Sequence, residues 1–246
     1  MRKVLWILYQ PYKWLIFVPC LVLSTLFFGI LTVLLVSFIN PRIASFFGGV
    51  MWARLNSYMT PMFVEVVGRE NIDKRQSYVV VCNHQSQYDI FVLYGWLGVD
   101  FRWILKKELR KIPALGIGCE KIGHIFIDRS NTKAALATIN EAKSRIKDGT
   151  SVLFFPEGSR SLDGTLGRFK KGAFKMALDL HIPVLPVTII GTRDILPAKT
   201  IDLFPGKARM VISQPINIEG YNSDNLHDLM NETWSVIQSI LIGEKG

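Results

Sequence analysis

An imidazole and a carboxylate stand five residues apart in the segment Asn83-His84-Gln85-Ser86-Gln87-Tyr88-Asp89. On one continuous helix, residues five apart differ by about 140° and face away from each other. His84 and Asp89 can meet only if the residues between them form a turn and Asp89 opens the following helix. The carboxylate would then hold one imidazole nitrogen and leave the other free as a general base. A plainer reading competes, in which Asp89 caps its helix and His84 is an ordinary loop histidine. A second segment, Phe155-Pro156-Glu157-Gly158-Ser159-Arg160, follows an apolar run. Pro156 ends a strand there and Gly158 permits a tight turn, which sets Glu157 and Arg160 at a strand tip. Its plain alternative is a polar turn with a local ion pair. In a third, Ile127-Asp128-Arg129, the guanidinium of Arg129 offers a fork suited to phosphate, or else a solvated surface charge. Lys106, Lys107, Arg110, Lys111, Lys170 and Lys171 add a basic set. Each alone fits a solvated face, whereas together they would make a rim for a phosphate-bearing partner.

Several chemistries lack their signatures. There is no G-x-S-x-G elbow, no Walker A loop and no GxGxxG fingerprint. No His, Asp or Glu cluster has metal-ligand spacing, so neither a metal nor a cofactor is expected. Cys20, Cys82 and Cys119 are scattered without a CxxC pair, which argues against a disulfide framework or a zinc site and for reduced thiols in a cytosol-facing protein. Cys82 lies two residues before His84, so a Cys–His nucleophile is conceivable. The preferred reading makes it the last buried residue of a strand.

These residues need elements to position them. The 246 residues suffice for one α/β domain plus an appendage. Short runs rich in Val, Ile and Phe predict strands at Phe63–Val67, Tyr78–Cys82, Arg102–Leu105, His124–Ile127, Val152–Phe155, Val184–Ile190 and Ala208–Ser213. Helices are predicted at Asp89–Leu97, Thr132–Lys147, Lys170–Leu180 and Asn225–Leu241, the second with Asn131 as N-cap and Gly149 just past its end. The alternation implies an α/β fold, a mixed sheet flanked by helices.

The appendage is apolar. No charged residue occurs from Trp14 to Ile39, a stretch long enough to cross a bilayer core of about 30 Å and too long for a signal peptide. Arg2, Lys3 and Lys13 precede it and Arg42 and Arg54 follow, a bias that puts the N-terminus on the cytoplasmic side. Pro19 and Gly29 could bend the run. Ile43, Phe46, Phe47, Val50 and Met51 recur at helical spacing, as on an interfacial helix. The reading adopted is a two-helix membrane anchor over residues 1–60, dipping into one leaflet, with the catalytic domain over 61–246; a straight span satisfies the hydropathy equally well. A net charge of +9 suits nucleic acid, an anionic membrane or phosphorylated small molecules.

Taken in order, the segments resemble the four motifs of the 1-acylglycerol-3-phosphate acyltransferase family, within the wider glycerolipid acyltransferases. Asn83-His84 with Asp89 looks like its catalytic NHxxxxD. Gly123-His124-Ile125-Phe126-Ile127-Asp128-Arg129 resembles its second motif, and Phe155–Arg160 its FPEGTR, with Ser159 in place of threonine. Val184-Leu185-Pro186-Val187 is similar to the fourth, near the acyl site. The resemblance implies a mixed, mostly parallel sheet and direct transfer without an acyl-enzyme. His84 would be the base and Asp89 its orienting partner, while Arg129, Glu157, Gly158, Ser159, Arg160, Lys106 and Lys171 would bind substrate. The donor would be acyl-CoA or acyl carrier protein (acyl-ACP), the acceptor lysophosphatidic acid, the surroundings membrane lipid, and the place the cytoplasmic face of the inner membrane, with no nucleic acid, cofactor or metal. Other acceptors (another lysophospholipid, a lyso-aminolipid, glycerol 3-phosphate), a thioesterase, and a non-enzymatic membrane adaptor or nucleic-acid-binding protein remain as alternatives.

Overall fold

All four side chains of β2 (Val79–Cys82) are buried, because helices cover both faces of the sheet and a central parallel strand has no solvent side. The computed structural model describes residues 2–128 and 130–243. Its seven-stranded sheet adds β1 (Met62–Val67), β3 (Asp100–Lys106), β4 (Ile125–Ile127), β5 (Thr150–Phe154), β6 (Val184–Ile190) and β7 (Gly206–Ile212), in the order β1-β7-β6-β2-β5-β3-β4. Every neighbouring pair is parallel except β6 with β7, so the sheet is mixed and mostly parallel. Each predicted strand begins and ends within two residues of the observed one.

The carboxyl ends of β2, β5 and β6 therefore open on one edge. Side chains alternate across the sheet. Val80 and Cys82 join Phe91, Leu93 and Leu185 on one face, while Val79 and Val81 join Phe174, Leu229 and Ile237 on the other. Each fully buried Leu, Ile or Phe contributes about 1.5–3 kcal/mol before entropy is counted. The covering helices are α5 (Tyr88–Trp96), α6 (Leu115–Ile122), α7 (Thr132–Ala142), α8 (Gly172–Leu180), the short α9 (Thr192–Ile195) and α10 (Leu226–Gly243). As expected, Asn131 caps α7, its Oδ1 accepting the N–H of Ala134 at 3.0 Å.

The appendage is a helical hairpin. A rod of 33 residues, Trp6–Phe38, is long and apolar enough to cross a membrane. It is made of most of α1 (Arg2–Tyr12), a π-turn over Lys13–Phe17 and α2 (Val18–Phe38). The helical run continues through both Pro19 and Gly29. Pro19 directly follows the π-turn, so the loss of its N–H falls where the α-helical hydrogen-bond ladder is already interrupted. Gly29 lets α6 approach, since a Cβ there would lie 2.8 Å from that of Ala114. After Asn40 the chain returns through Pro41–Ala44 (α3), a π-turn at Ser45–Val50 and Met51–Met59 (α4). Gly48 packs on Thr32, Trp52 Nε1 donates to Thr25 Oγ1 at 3.0 Å, and Ser24 Oγ meets Asn56 Oδ1 at 3.1 Å. The pairing partners run in opposite senses, so the two limbs are antiparallel. The inner face of α2 is thus small and polar, while Val22, Leu23, Phe27, Ile30 and Leu34 face outward. That is the reverse of a helix on a water-soluble domain and the pattern of a lipid-facing one.

Candidate active site

β2 ends where Asn83 pairs its side chain with the backbone of β6, accepting from Ile189 N–H at 2.8 Å and donating to Ile189 O at 2.9 Å. The next residue, His84, is held by the segment after β5. Its N–H donates to Glu157 Oε1 at 2.8 Å, and its carbonyl accepts from Ser161 N–H at 2.8 Å. Residues 83–87 form the turn that the five-residue spacing demanded. Asp89 lies in the first turn of α5, where the helix dipole favours a negative charge.

The carboxylate of Asp89 is fully buried and satisfied by four donors. Oδ2 receives His84 Nδ1–H at 2.8 Å, Gln85 N–H at 2.7 Å and Ser86 N–H at 2.9 Å. Oδ1 receives the hydroxyl of Thr192 at 2.5 Å. One carboxylate thus ties the turn and also fixes the imidazole tautomer, so the cap and the charge partner of the two sequence readings coincide. The imidazole is stacked on Phe155, with centroids 3.8 Å apart and planes 10° from parallel. Nε2 is the nitrogen left unengaged by Asp89. His84 forms one wall of a cavity of about 240 Å³, shared with Gly158, Ser159, Arg160, Leu162, Ala198 and Lys199.

The predicted substrate-binding residues divide. Gly158, Ser159 and Arg160 line that cavity beside His84. Gly158 has φ +77°, the left-handed region that glycine adopts without strain, and its bare Cα leaves room for the Lys170 side chain, whose Nζ would lie 2.5 Å from a Cβ. Glu157 behaves differently from the expected substrate contact. Its oxygens accept the backbone N–H groups of His84 at 2.8 Å and Gly167 at 2.9 Å, so it braces the histidine from behind. Burial raises its pKa, against the opposing pull of those two N–H bonds. Lys106 lies at the end of β3 and pairs with exposed Glu108 at 3.7 Å, and Lys171 is an exposed residue preceding α8; neither lines the cavity. Arg129 lies outside the described residues.

Cys82 is fully buried, and burial pushes its thiol well above the usual range, which removes the thiolate a Cys–His nucleophile would need. Among the described residues no cluster of His, Cys, Asp or Glu could hold a metal. Thr192, Phe155, Ala198 and Lys199 are absent from the sequence-derived candidates. Only the position of Thr192 two residues past β6 could have signalled it, and that requires knowing that β6 lies beside β2.

A second, apolar cavity of about 210 Å³ lies between the hairpin and the sheet, walled by Phe28, Gly29, Trp52, Tyr94, Trp103 and Leu115 among others. Trp103 stands 5.8 Å from Phe155, the ring under His84. Behind Tyr94 and Trp103 is buried His124, whose Nδ1 accepts from Trp103 N–H at 3.3 Å and whose Nε2 bonds the Tyr94 hydroxyl. Burial and nearby Arg102 lower its pKa to about 3, so its ring is neutral.

The family model described as Acyltransferase matches residues 63–190, from β1 to the end of β6. The chain belongs to that acyltransferase family. The acyltransferase is 35% identical over 190 residues to a 1-acyl-sn-glycerol-3-phosphate acyltransferase of Chlamydomonas reinhardtii, covering 76% of this chain and 56% of the other. It is 32% identical over 171 residues to the mouse 1-acyl-sn-glycerol-3-phosphate acyltransferase alpha, covering 69% of this chain and 60% of the mouse protein. It thus spans less than two thirds of these curated relatives. The crystal structure of the 1-acyl-sn-glycerophosphate (LPA) acyltransferase PlsC from Thermotoga maritima superposes with a TM-score of 0.82 at 30% identity, covering 100% of this chain and 98% of that one. The likeness therefore takes in the hairpin as well as the sheet.

Proposed function

We propose that the chain moves a fatty acyl group from acyl-CoA or acyl-ACP onto the free hydroxyl of lysophosphatidic acid, giving phosphatidic acid. The observation that carries this reading is the His84 imidazole, fixed through Nδ1 by Asp89 at 2.8 Å, on the wall of a cavity shared with Arg160 and Lys199. Names of relatives support the acceptor.

In this reading His84 Nε2 takes the proton of the acceptor hydroxyl as its oxygen attacks the thioester carbonyl. The C–O bond forms, and the tetrahedral adduct collapses with loss of the C–S bond. The thiolate leaves with the proton that His84 has held. Asp89 stabilises the transient imidazolium without itself taking the proton. The apolar cavity beside Trp103 suits an acyl chain. Residues 1–60 anchor the catalytic domain, 61–246, to the cytoplasmic leaflet of the inner membrane. Outward Phe27, Ile30 and Leu34 face lipid, and exposed Leu162 and Ile201 add apolar surface.

The test is a radiolabelled acyl-transfer assay in membranes with several lysophospholipids. Labelled phosphatidic acid formed in dependence on lysophosphatidic acid supports the reading. Transfer to a different acceptor alone reassigns the substrate. Thiol release that needs no acceptor makes the protein a thioesterase and refutes the reading.

A further inference from the structure

The loop between α9 and β7, residues 196–205, forms a wall of the His84 cavity through Ala198 and Lys199. It lies beyond the segment matched by the family model. Lys199 has φ +62°, the left-handed region that a residue with a Cβ rarely occupies. Such a conformation persists only where the surroundings over-determine it, and it clusters at functional sites.

The surroundings here come from three directions. Ser86 Oγ, two residues past His84, donates to Leu196 O at 2.7 Å. Thr200 Oγ1 donates to Pro197 O at 3.1 Å and accepts from Asp202 N–H at 3.2 Å. From the start of the N-terminal rod, buried Lys13 donates through Nζ to Ile201 O at 2.9 Å, and Trp6 Nε1 donates to Asp202 Oδ1 at 3.0 Å. The loop is therefore tied both to the catalytic turn and to the hairpin, with Lys199 between the two sets of ties.

The cavity's charge is unbalanced. Lys107, Arg110 and Lys143 are paired with Asp128, Glu120 and Asp179. Arg160 and Lys199 make no side-chain hydrogen bond or ion pair among the described residues, and no carboxylate lines the cavity they share. Two uncompensated cations on one small concave surface favour an anion.

We propose that Lys199, together with Arg160, binds the phosphate of the acceptor, which makes Lys199 a substrate-binding residue contributed by the loop after α9. The inference rests on the reading of the chain as a lysophosphatidic acid acyltransferase. The choice of acceptor over donor follows from covalent reach. In lysophosphatidic acid the attacking oxygen and the phosphorus are separated by two carbons and an ester oxygen. A hydroxyl at His84 therefore brings its phosphate into the same cavity of about 240 Å³. In acyl-CoA and acyl-ACP the whole pantetheine arm separates the thioester from the nearest phosphate.

The experiment uses the full chain in membranes and in detergent, with Lys199→Ala, Lys199→Arg and Lys199→Gly. Loss of a hydrogen bond to a charged group corresponds to roughly tenfold or more in affinity. Lys199→Ala is expected to raise KM for lysophosphatidic acid about tenfold, leaving KM for acyl-CoA and kcat near wild type. Lys199→Arg should recover most of the loss. Lys199→Gly, which relieves the left-handed backbone, should match the Ala variant kinetically while melting no earlier than wild type. Equilibrium binding to His84→Ala protein, with and without Lys199→Ala, gives a second readout that needs no turnover: lysophosphatidic acid binding should weaken about tenfold and that of the corresponding monoacylglycerol should not. An unchanged KM and unchanged binding overturn the proposal, as does a rise confined to acyl-CoA or a Gly variant with wild-type KM. A wild-type protein that binds lysophosphatidic acid in a Lys199-dependent way without acylating it would refute the functional reading and leave the site standing.

Discussion

Thr192 donates its hydroxyl to Asp89 Oδ1 at 2.5 Å, joining the start of α9 to the first turn of α5 across 103 positions of sequence. This bond completes the shell of a buried carboxylate, and an unsatisfied buried charge is costly. Thr192→Val keeps the shape and removes the donor. We expect kcat to fall by about tenfold, the scale of one hydrogen bond to a charged group. KM for both substrates should hold, because Thr192 does not line the cavity. Steady-state kinetics would check this, and an unchanged kcat would reject the positioning role.

His84→Ala should lower transfer by a factor of about 10²–10⁴, the usual worth of a positioned general base. The protein should still fold and partition into membranes, because the imidazole stacks on Phe155 at the wall of a cavity and is not itself part of either buried apolar core. Cys82→Ala should keep its turnover, since the buried thiol points into the sheet core beside Val80 and Leu185. Turnover by the two variants in one membrane assay decides between base and thiol, and loss in Cys82→Ala with survival in His84→Ala would reverse the assignment.

Acid should destabilise the fold through His124. In the unfolded chain its imidazole titrates near 6.5. In the folded protein burial and Arg102 lower it to about 3. Between these values the unfolded chain binds a proton that the native state refuses, so this contribution is fully present above pH 6.5 and is lost as pH falls toward 3. Melting temperatures of detergent-solubilised protein at several pH values should therefore fall below pH 6.5. The fall should be shallower in His124→Asn, and parallel curves would show that another group carries the effect.

The one-leaflet anchor predicts protection of both the N-terminal helix and the catalytic domain. Single cysteines at Lys3 and Lys147, in a background without Cys20, Cys82 and Cys119, are exposed to a membrane-impermeant thiol reagent on intact cells. Neither should be labelled. Labelling at Lys3 with protection at Lys147 would establish that the rod crosses the bilayer.

The local part of this architecture was legible in the residues themselves. Seven apolar runs became seven strands, Asn131 caps its helix, and the spacing of His84 and Asp89 required the turn that is found. These depend on periodicity and on neighbours within a few residues. Where the reading fell short, the deciding contacts were distant in sequence. The helix at Leu115–Ile122 contains Gly116 and Gly118, which disfavour helix by themselves; it forms where it packs so closely on α2 that a Cβ at Gly118 would lie 3.2 Å from Thr32 Cγ2. Glu157 looked like a substrate ligand and instead braces His84, because only the pairing of β2 with β5 puts the two strand tips together. Lys106 and Lys171 differ from Lys199 in nothing that composition reveals. Strand order, and the ties that pull the loop after α9 over the end of β6, decide which lysine faces the histidine. Spacing alone determines which residues can meet across one turn; burial of apolar faces in a particular sheet order determines which strand tips share an edge.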